Sequence, residues 1–174
     1  MNEDTQIHSH TEWRYMCQRA VRYLSRFPSS ERRFRMTMRK ALSKRLDKAE
    51  EPHEVDQVEF MNALVLYTSN LGYLDDERLA QGLLISYRRK GDAHRLIRQK
   101  LQRKGLQAVV IDAAMMGEDD TSELDAATLF VKKKRLNVAW ASTDHKVRQK
   151  ALQRMARRGF SFGVAKMALE KVYD

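Results

Sequence analysis

The sequence predicts an all-α protein: three tandem three-helix repeats stacked into an elongated, curved array. Three observations predict it. Only two prolines and seven glycines interrupt 174 residues, and runs of β-branched residues are scarce. Apolar residues recur at steps of three and four between capping residues. The chain also matches itself. Leu101-Gln102-Arg103-Lys104-Gly105 overlays Met155-Ala156-Arg157-Arg158-Gly159 at a shift of 54 residues, which also carries Val110 to Val164 and Ala114 to Ala168. Leu42-Ser43-Lys44-Arg45 fits the same place, with Leu46 where the glycine stands in the other two. Three-helix units this small bury little alone and need neighbours to complete a core.

The elements follow in order. Residues 1–10 read as a flexible tail, in which His8 and His10 are spaced too closely to bind a metal without further ligands. The first repeat, 11–74, opens with Trp13, Cys17, Ala20, Val21 and Leu24 on one helix face, stopping at Phe27 before Pro28 and the caps Ser29–Ser30. Its second helix carries Phe34, Met38, Leu42 and Leu46 and is expected to run out near Glu50–Glu51. Pro52 is placed at the first turn of a third helix, with Val58, Met61, Leu64, Val65, Thr68 and Leu71 as its stripe. Gly72 ends that helix, and Tyr73–Leu74 fold back in a Schellman-type turn.

The second repeat, 75–117, is the best punctuated. Asp75, Asp76 and Glu77 put negative charge on the first turn of its first helix, and Arg88, Arg89 and Lys90 put positive charge on the last. Leu79, Ala80, Leu83, Leu84 and Tyr87 line that helix; Gly91 ends it, and Asp92 is read as the cap of the next. Ile97 and Leu101 line the second helix up to Gly105; Val109, Val110, Ala113 and Ala114 line a short third, ending near Gly117. Residues 118–174 read as an acidic linker, Glu118–Asp120, and a third repeat. Thr121–Ser122 are its expected caps, Ser122 and Asp125 approximating a capping box. Ala126, Ala127, Phe130 and Val131 line its first helix. After a loop around Asn137–Thr143 come Val147, Ala151 and Met155, and Ser161 caps a last helix with Val164, Ala165, Ala168, Leu169 and Val172. Nine helices result.

Composition narrows the function classes. A formal charge of +10 and a pI near 9.9 make a polyanion the default partner. A lone Cys17 excludes an internal disulfide and a cysteine-based zinc cluster. The N-terminus is polar and acidic, unlike a secretory signal, and no apolar run approaches a membrane span, so the expected address is cytoplasmic. No phosphate-binding glycine loop, dinucleotide fingerprint or H-E-x-x-H is present. The paired acids Asp75–Asp76 and Asp119–Asp120 sit where capping and solvation explain them, and Asp144–His145 open a helix. Neither an enzyme nor a cofactor or metal site is indicated.

The basic residues fall unevenly. Arg88 to Lys104 holds eight Lys/Arg and one acid, and Val131 to Phe160 holds ten and one. Ala108–Ala127 holds six acids and no base. Lys44–Arg45, Arg103–Lys104 and Arg157–Arg158 occupy equivalent ends of the three second helices, with Lys100 and Arg154 one turn earlier. Dipole matching explains some of them at ~0.3–1 kcal/mol each, but requires neither two or three per helix end nor so large a surplus. Units stacked in register would align them into a basic track. Its candidate residues are Lys44, Arg45, Arg88, Arg89, Lys90, Lys100, Arg103, Lys104, Lys132, Lys133, Arg154, Arg157 and Arg158. Lys132-Lys133-Lys134-Arg135 is read as a basic helix end rather than an import signal. Of the aromatics that could stack on bases, Trp13 and Tyr87 lie on apolar stripes, which leaves Trp140 in its loop.

LGYLDDERLAQGLLISYRRKG, followed by RLIRQKLQRKGL, resembles the middle repeat of the RecX family, bacterial regulators of the RecA recombinase. AATLFVKKKRL and DHKVRQKALQRMARRGFSFGVAKMALEKV resemble its third unit, and AVRYLSRFPSSERRFRMTMRKAL its first. The resemblance implies a curved monomer of three three-helix repeats that acts in recombination and DNA repair. It implies docking in the groove of the RecA–single-stranded DNA filament, on the protein or on the DNA within it, so limiting filament growth or activity. It implies no catalysis, no cofactor and no membrane. The alternative from the residues alone is a stand-alone helical nucleic-acid-binding protein that needs no RecA.

Overall fold

A computed structural model describes residues 11–48, 55–116 and 120–172, and these are all-α. Ten helices occur among them: α1 (Thr11–Arg26), α2 (Glu31–Leu46), α3 (Gln57–Asn70), α4 (Asp76–Arg89), α5 (His94–Arg103), α6 (Ala108–Met115), α7 (Asp120–Lys134), α8 (Leu136–Trp140), α9 (His145–Arg157) and α10 (Phe162–Lys171). The series is three sets of three with α8 added. The expected tail, Pro52, Gly117 and most of the acidic linker lie outside the described residues.

The chain forms two compact units. One holds the described residues up to Leu79 together with Lys104–Leu106; the other holds Ala80–Arg103 and the chain from Gln107 onward. In the first, α3 packs against both α1 and α2. Its core joins Cys17, Ala20 and Leu24 to Phe34, Met38 and Leu42, and closes over Phe60, Met61 and Leu64. Trp13 is half-buried at the edge, its ring meeting those of Phe60 and Tyr67 edge-on at 5.5 and 5.9 Å. In the second unit α10 lies along α7, and Ala127, Phe130 and Val131 meet Ala165, Ala168 and Leu169, with Met155 from α9. Alanines at the contacts let these helices approach closely.

Local chemistry sets the helix ends. Gly72, Gly91 and Gly159 take positive φ, and each closes a Schellman turn with paired amide-to-carbonyl bonds, as in Tyr73 N to Thr68 O at 3.0 Å and Gly72 N to Ser69 O at 2.8 Å. Ser30, Asp144 and Ser161 accept from amides in the first turns of α2, α9 and α10, as their sequence positions predict. The start of α2 is also completed from a distance. The first amide of α2, Glu31 N, donates to Asp76 Oδ1 at 2.8 Å, while Asp75 caps its own helix through Arg78 N at 2.9 Å. Burial raises the Asp76 carboxyl above its ordinary pKa; the Glu31 amide partly opposes that rise.

Several expectations are corrected. α2 ends at Leu46, short of Glu50–Glu51, because Asp47 puts negative charge on the negative end of the helix. α3 begins at Gln57 behind Asp56, whose carboxylate accepts from Val58 N and Glu59 N. Its buried stripe includes Phe60 and leaves Val58 and Leu71 half or more exposed, since apolar residues surround this helix and hide its phase. On α6 the buried residue is Ile111, while Val109 and Ala113 are exposed. α7 begins at Asp120, ahead of the expected caps Thr121–Ser122. Trp140 ends a short helix rather than sitting in a loop. Arg135, at φ 50°, breaks α7 from α8, and Trp140 is half-buried against the second core under the Arg148 guanidinium at 4.6 Å.

Candidate functional site

Within the second unit, six of the thirteen candidate cations meet around the turn between α4 and α5. The Schellman turn at Gly91 reverses the chain and leaves Asp92 with no exposed surface. A carboxylate so placed must be paired to remain charged. Lys100, two turns along α5, forms an ion pair with it, and Arg158, at the end of α9, brings Nε to 3.0 Å from its Oδ1. Asp92 therefore joins two distant helix ends and does not cap α5. That cap comes from α7, where Glu123 Oε2 accepts from His94 N at 2.9 Å. The same oxygen lies 2.9 Å from Arg88 Nη1, which also donates to the Asp92 carbonyl at 3.1 Å.

The turn's last carbonyls are covered by cations as well. Arg158 Nη2 donates to the Lys90 carbonyl at 3.2 Å, and Lys133 Nζ donates to that of Arg89. Aromatic faces complete the setting. The Lys100 ammonium lies 4.8 Å from the Tyr87 ring centre, and the Arg158 guanidinium 4.9 Å from that of Phe130. Arg88, Lys100 and Arg158 are thus tied to carboxylates inside the fold, whereas Arg89, Lys90 and Lys133 are exposed.

The other candidates fall into two groups. Arg103, Lys132, Arg154 and Arg157 are exposed and form no ion pair among the described residues. Lys104 is half-buried, and its carbonyl accepts from Ser30 Oγ at 2.6 Å. In the first unit Lys44 is exposed, and Arg45 is ion-paired with the buried Glu12 while its guanidinium lies 4.1 Å over the Tyr15 ring. Sequence reasoning did not single out Glu12 or Glu123. Each lies more than thirty residues from its arginine, 33 for Glu12–Arg45 and 35 for Arg88–Glu123, so no local pattern announces the pair.

This chemistry suits anion binding. Among the described residues no group of three His, Cys, Asp or Glu could hold a metal ion, and no helix is long and apolar enough to cross a membrane. Burial pushes the Cys17 thiol up to about 11, so it stays protonated and unreactive at neutral pH.

Comparison with known proteins gives consistent results. Residues 75–115 match the family model described as RecX, second three-helix domain. Over 162 residues the chain is 32% identical to a protein of Myxococcus xanthus named Regulatory protein RecX, covering 90% of this chain and 84% of that one. A protein of the same name from Agrobacterium fabrum is 32% identical over 101 residues, which cover 58% of this chain and 53% of that one. The crystal structure of RecX from Lactobacillus salivarius superposes with a TM-score of 0.67 at 15% identity, covering 92% of this chain and 96% of that one. A second crystal structure, of regulatory protein RecX, gives 0.67 at 20% identity over 98% of this chain and 80% of its own. At these identities the two structures speak for the fold.

Proposed function

The chain belongs to the RecX family of regulatory proteins, and from that premise we propose that it restrains the RecA recombinase by binding the RecA–single-stranded DNA filament through its basic helical surface. One observation carries this reading: cations from α4, α5, α7 and the end of α9 converge on one turn, where Asp92 and Glu123 neutralise only part of them. The filament is both a protein surface and a polyanion, so charge would speed encounter and shape would supply specificity. The surplus charge of +10 favours a second reading, direct binding of naked nucleic acid without RecA.

One pair of assays separates them. The protein is titrated into a RecA–single-stranded DNA ATPase reaction and, in parallel, onto naked DNA. Substoichiometric inhibition with weak naked-DNA affinity supports the filament; tight naked-DNA binding with inhibition only by competition replaces it with the second reading. If about six phosphates are neutralised, log K falls against log salt with a slope of about −5. The mutational probe is Arg103→Glu with Arg154→Glu and Arg157→Glu, because these side chains are exposed and form no ion pair among the described residues. Arg158 is unsuitable as a probe, since reversing it would place two carboxylates together at Asp92.

A further inference from the structure

We propose that the cleft between α1 and α2 binds a phosphate group carried on a nucleotide. The cleft encloses about 460 Å³ and is lined by Arg19, Lys44, Arg45 and Lys48, with Tyr15 and one acid, Glu12. That volume lies within the roughly 300–1,000 Å³ of small-molecule sites and exceeds what a lone phosphate fills. Cations gathered in a concavity raise its potential and draw in an anion.

The arrangement is built in advance. The Glu12 side chain is 7% exposed and fixes the Arg45 guanidinium, which lies 4.1 Å over the Tyr15 ring. The Tyr15 hydroxyl in turn accepts from Arg19 Nη1 at 3.3 Å. Glu12 pairs with Arg45, and Arg19, Lys44 and Lys48 form no ion pair among the described residues. A fixed guanidinium with ammonium groups beside it matches a tetrahedral phosphate, and its plane offers a stacking face to a base. Lys44 and Lys48 stand one turn apart on α2 and at its end, as Tyr15 and Arg19 do on α1, so the cleft is where two basic helix faces meet.

In its choice of ligand this inference rests on a nucleic-acid-facing basic surface, but it needs no RecA. The test uses the full chain and follows backbone amide shifts while inorganic phosphate, adenosine triphosphate or a short oligothymidylate is added. Saturable shifts at Arg19, Lys44, Arg45 and Lys48 are expected. Saturation by the oligonucleotide alone assigns the phosphate to a nucleic-acid strand; saturation by the triphosphate assigns it to a free nucleotide. Replacing two of the exposed cations, Arg19→Gln with Lys48→Gln, should weaken binding about tenfold and flatten the salt slope by about two. Tyr15→Phe keeps the ring, removes the oxygen that holds Arg19, and should weaken binding by a smaller factor. No saturable shift at these residues with any probe, or full affinity in Arg19→Gln with Lys48→Gln, overturns the proposal. The outcome is separable from the filament reading: Arg103→Glu with Arg154→Glu and Arg157→Glu should leave cleft binding intact, whatever it does to RecA.

Discussion

The starts of α2 and α5 face the same physical problem and solve it with different chemistry. Each helix leaves its first amides without intrahelical acceptors, and each receives a glycine turn from the end of a later helix. At α2 the solution is polar. Ser30 Oγ donates to the Lys104 carbonyl, Asp76 accepts from Glu31 N, and a Cβ at Gly105 would stand 2.8 Å from Ser30 Oγ. At α5 the position before the helix is Ala93, without a hydroxyl. Gly159 packs instead on apolar carbon, where an added Cβ would meet Leu96 Cβ at 3.2 Å and Ala93 Cβ at 3.3 Å. The polar work passes to Glu123 and to buried Asp92 with its two cations. A shared geometry thus holds one junction by hydrogen bonds alone and the other with buried ion pairs as well.

The largest effect should come from the ionic junction. Asp92→Asn leaves Lys100 and Arg158 facing a neutral group in a largely buried site, and should cost about 3 kcal/mol in chemical denaturation. A loss below about 1 kcal/mol would mean that these cations simply turn out to solvent. Next comes Gly159→Ala, which combines a left-handed backbone at φ 94° with contacts to Cβ and backbone atoms that cannot rotate away; about 2 kcal/mol is expected.

The polar junction should yield less. Ser30→Ala removes a cap and the bond to Lys104, for about 1 kcal/mol. It should also relieve Gly105→Ala, so the double variant is expected to lose less than the sum of the two single ones; simple additivity would show that Ser30 is not the obstacle. The smallest effect at neutral pH is Asp76→Asn, which keeps an oxygen for Glu31 N. Its signature lies in pH dependence. Because burial raises the folded pKa of Asp76, the folded state holds the proton more tightly than the unfolded chain, and this group's contribution declines as pH rises through and above the ordinary carboxylate value of about 3.9. Asp76→Asn should remove that decline, seen as a flatter stability curve in mild acid.

Features set by near neighbours could be read directly from the sequence. Phe34, Met38 and Leu42 at steps of four, the Gly72, Gly91 and Gly159 turns, and Ser161 as a cap all follow from residues within one or two turns. Readings failed where the deciding partner was remote. Asp92 has the sequence position of a cap, but Arg158, 66 positions later, claims its carboxylate. The same limit applies to the candidate cations. Their charge and recurrence were visible, but not that Arg45, Arg88, Lys100 and Arg158 are tied to acids while Arg103, Arg154 and Arg157 stand clear. Trp140 was misplaced because five residues after a left-handed arginine carry too little pattern to announce a helix.

The remote completion of the α2 start has a consequence for the growing polypeptide. Glu31 obtains its carboxylate from a residue 45 positions later, and Ser30 its carbonyl from one 74 positions later. At roughly 5–20 residues per second, synthesis leaves that helix end open for about 4–15 s before Lys104 is made. Until each of them is made, water or a chaperone must occupy the place that Asp76 and then Lys104 later take.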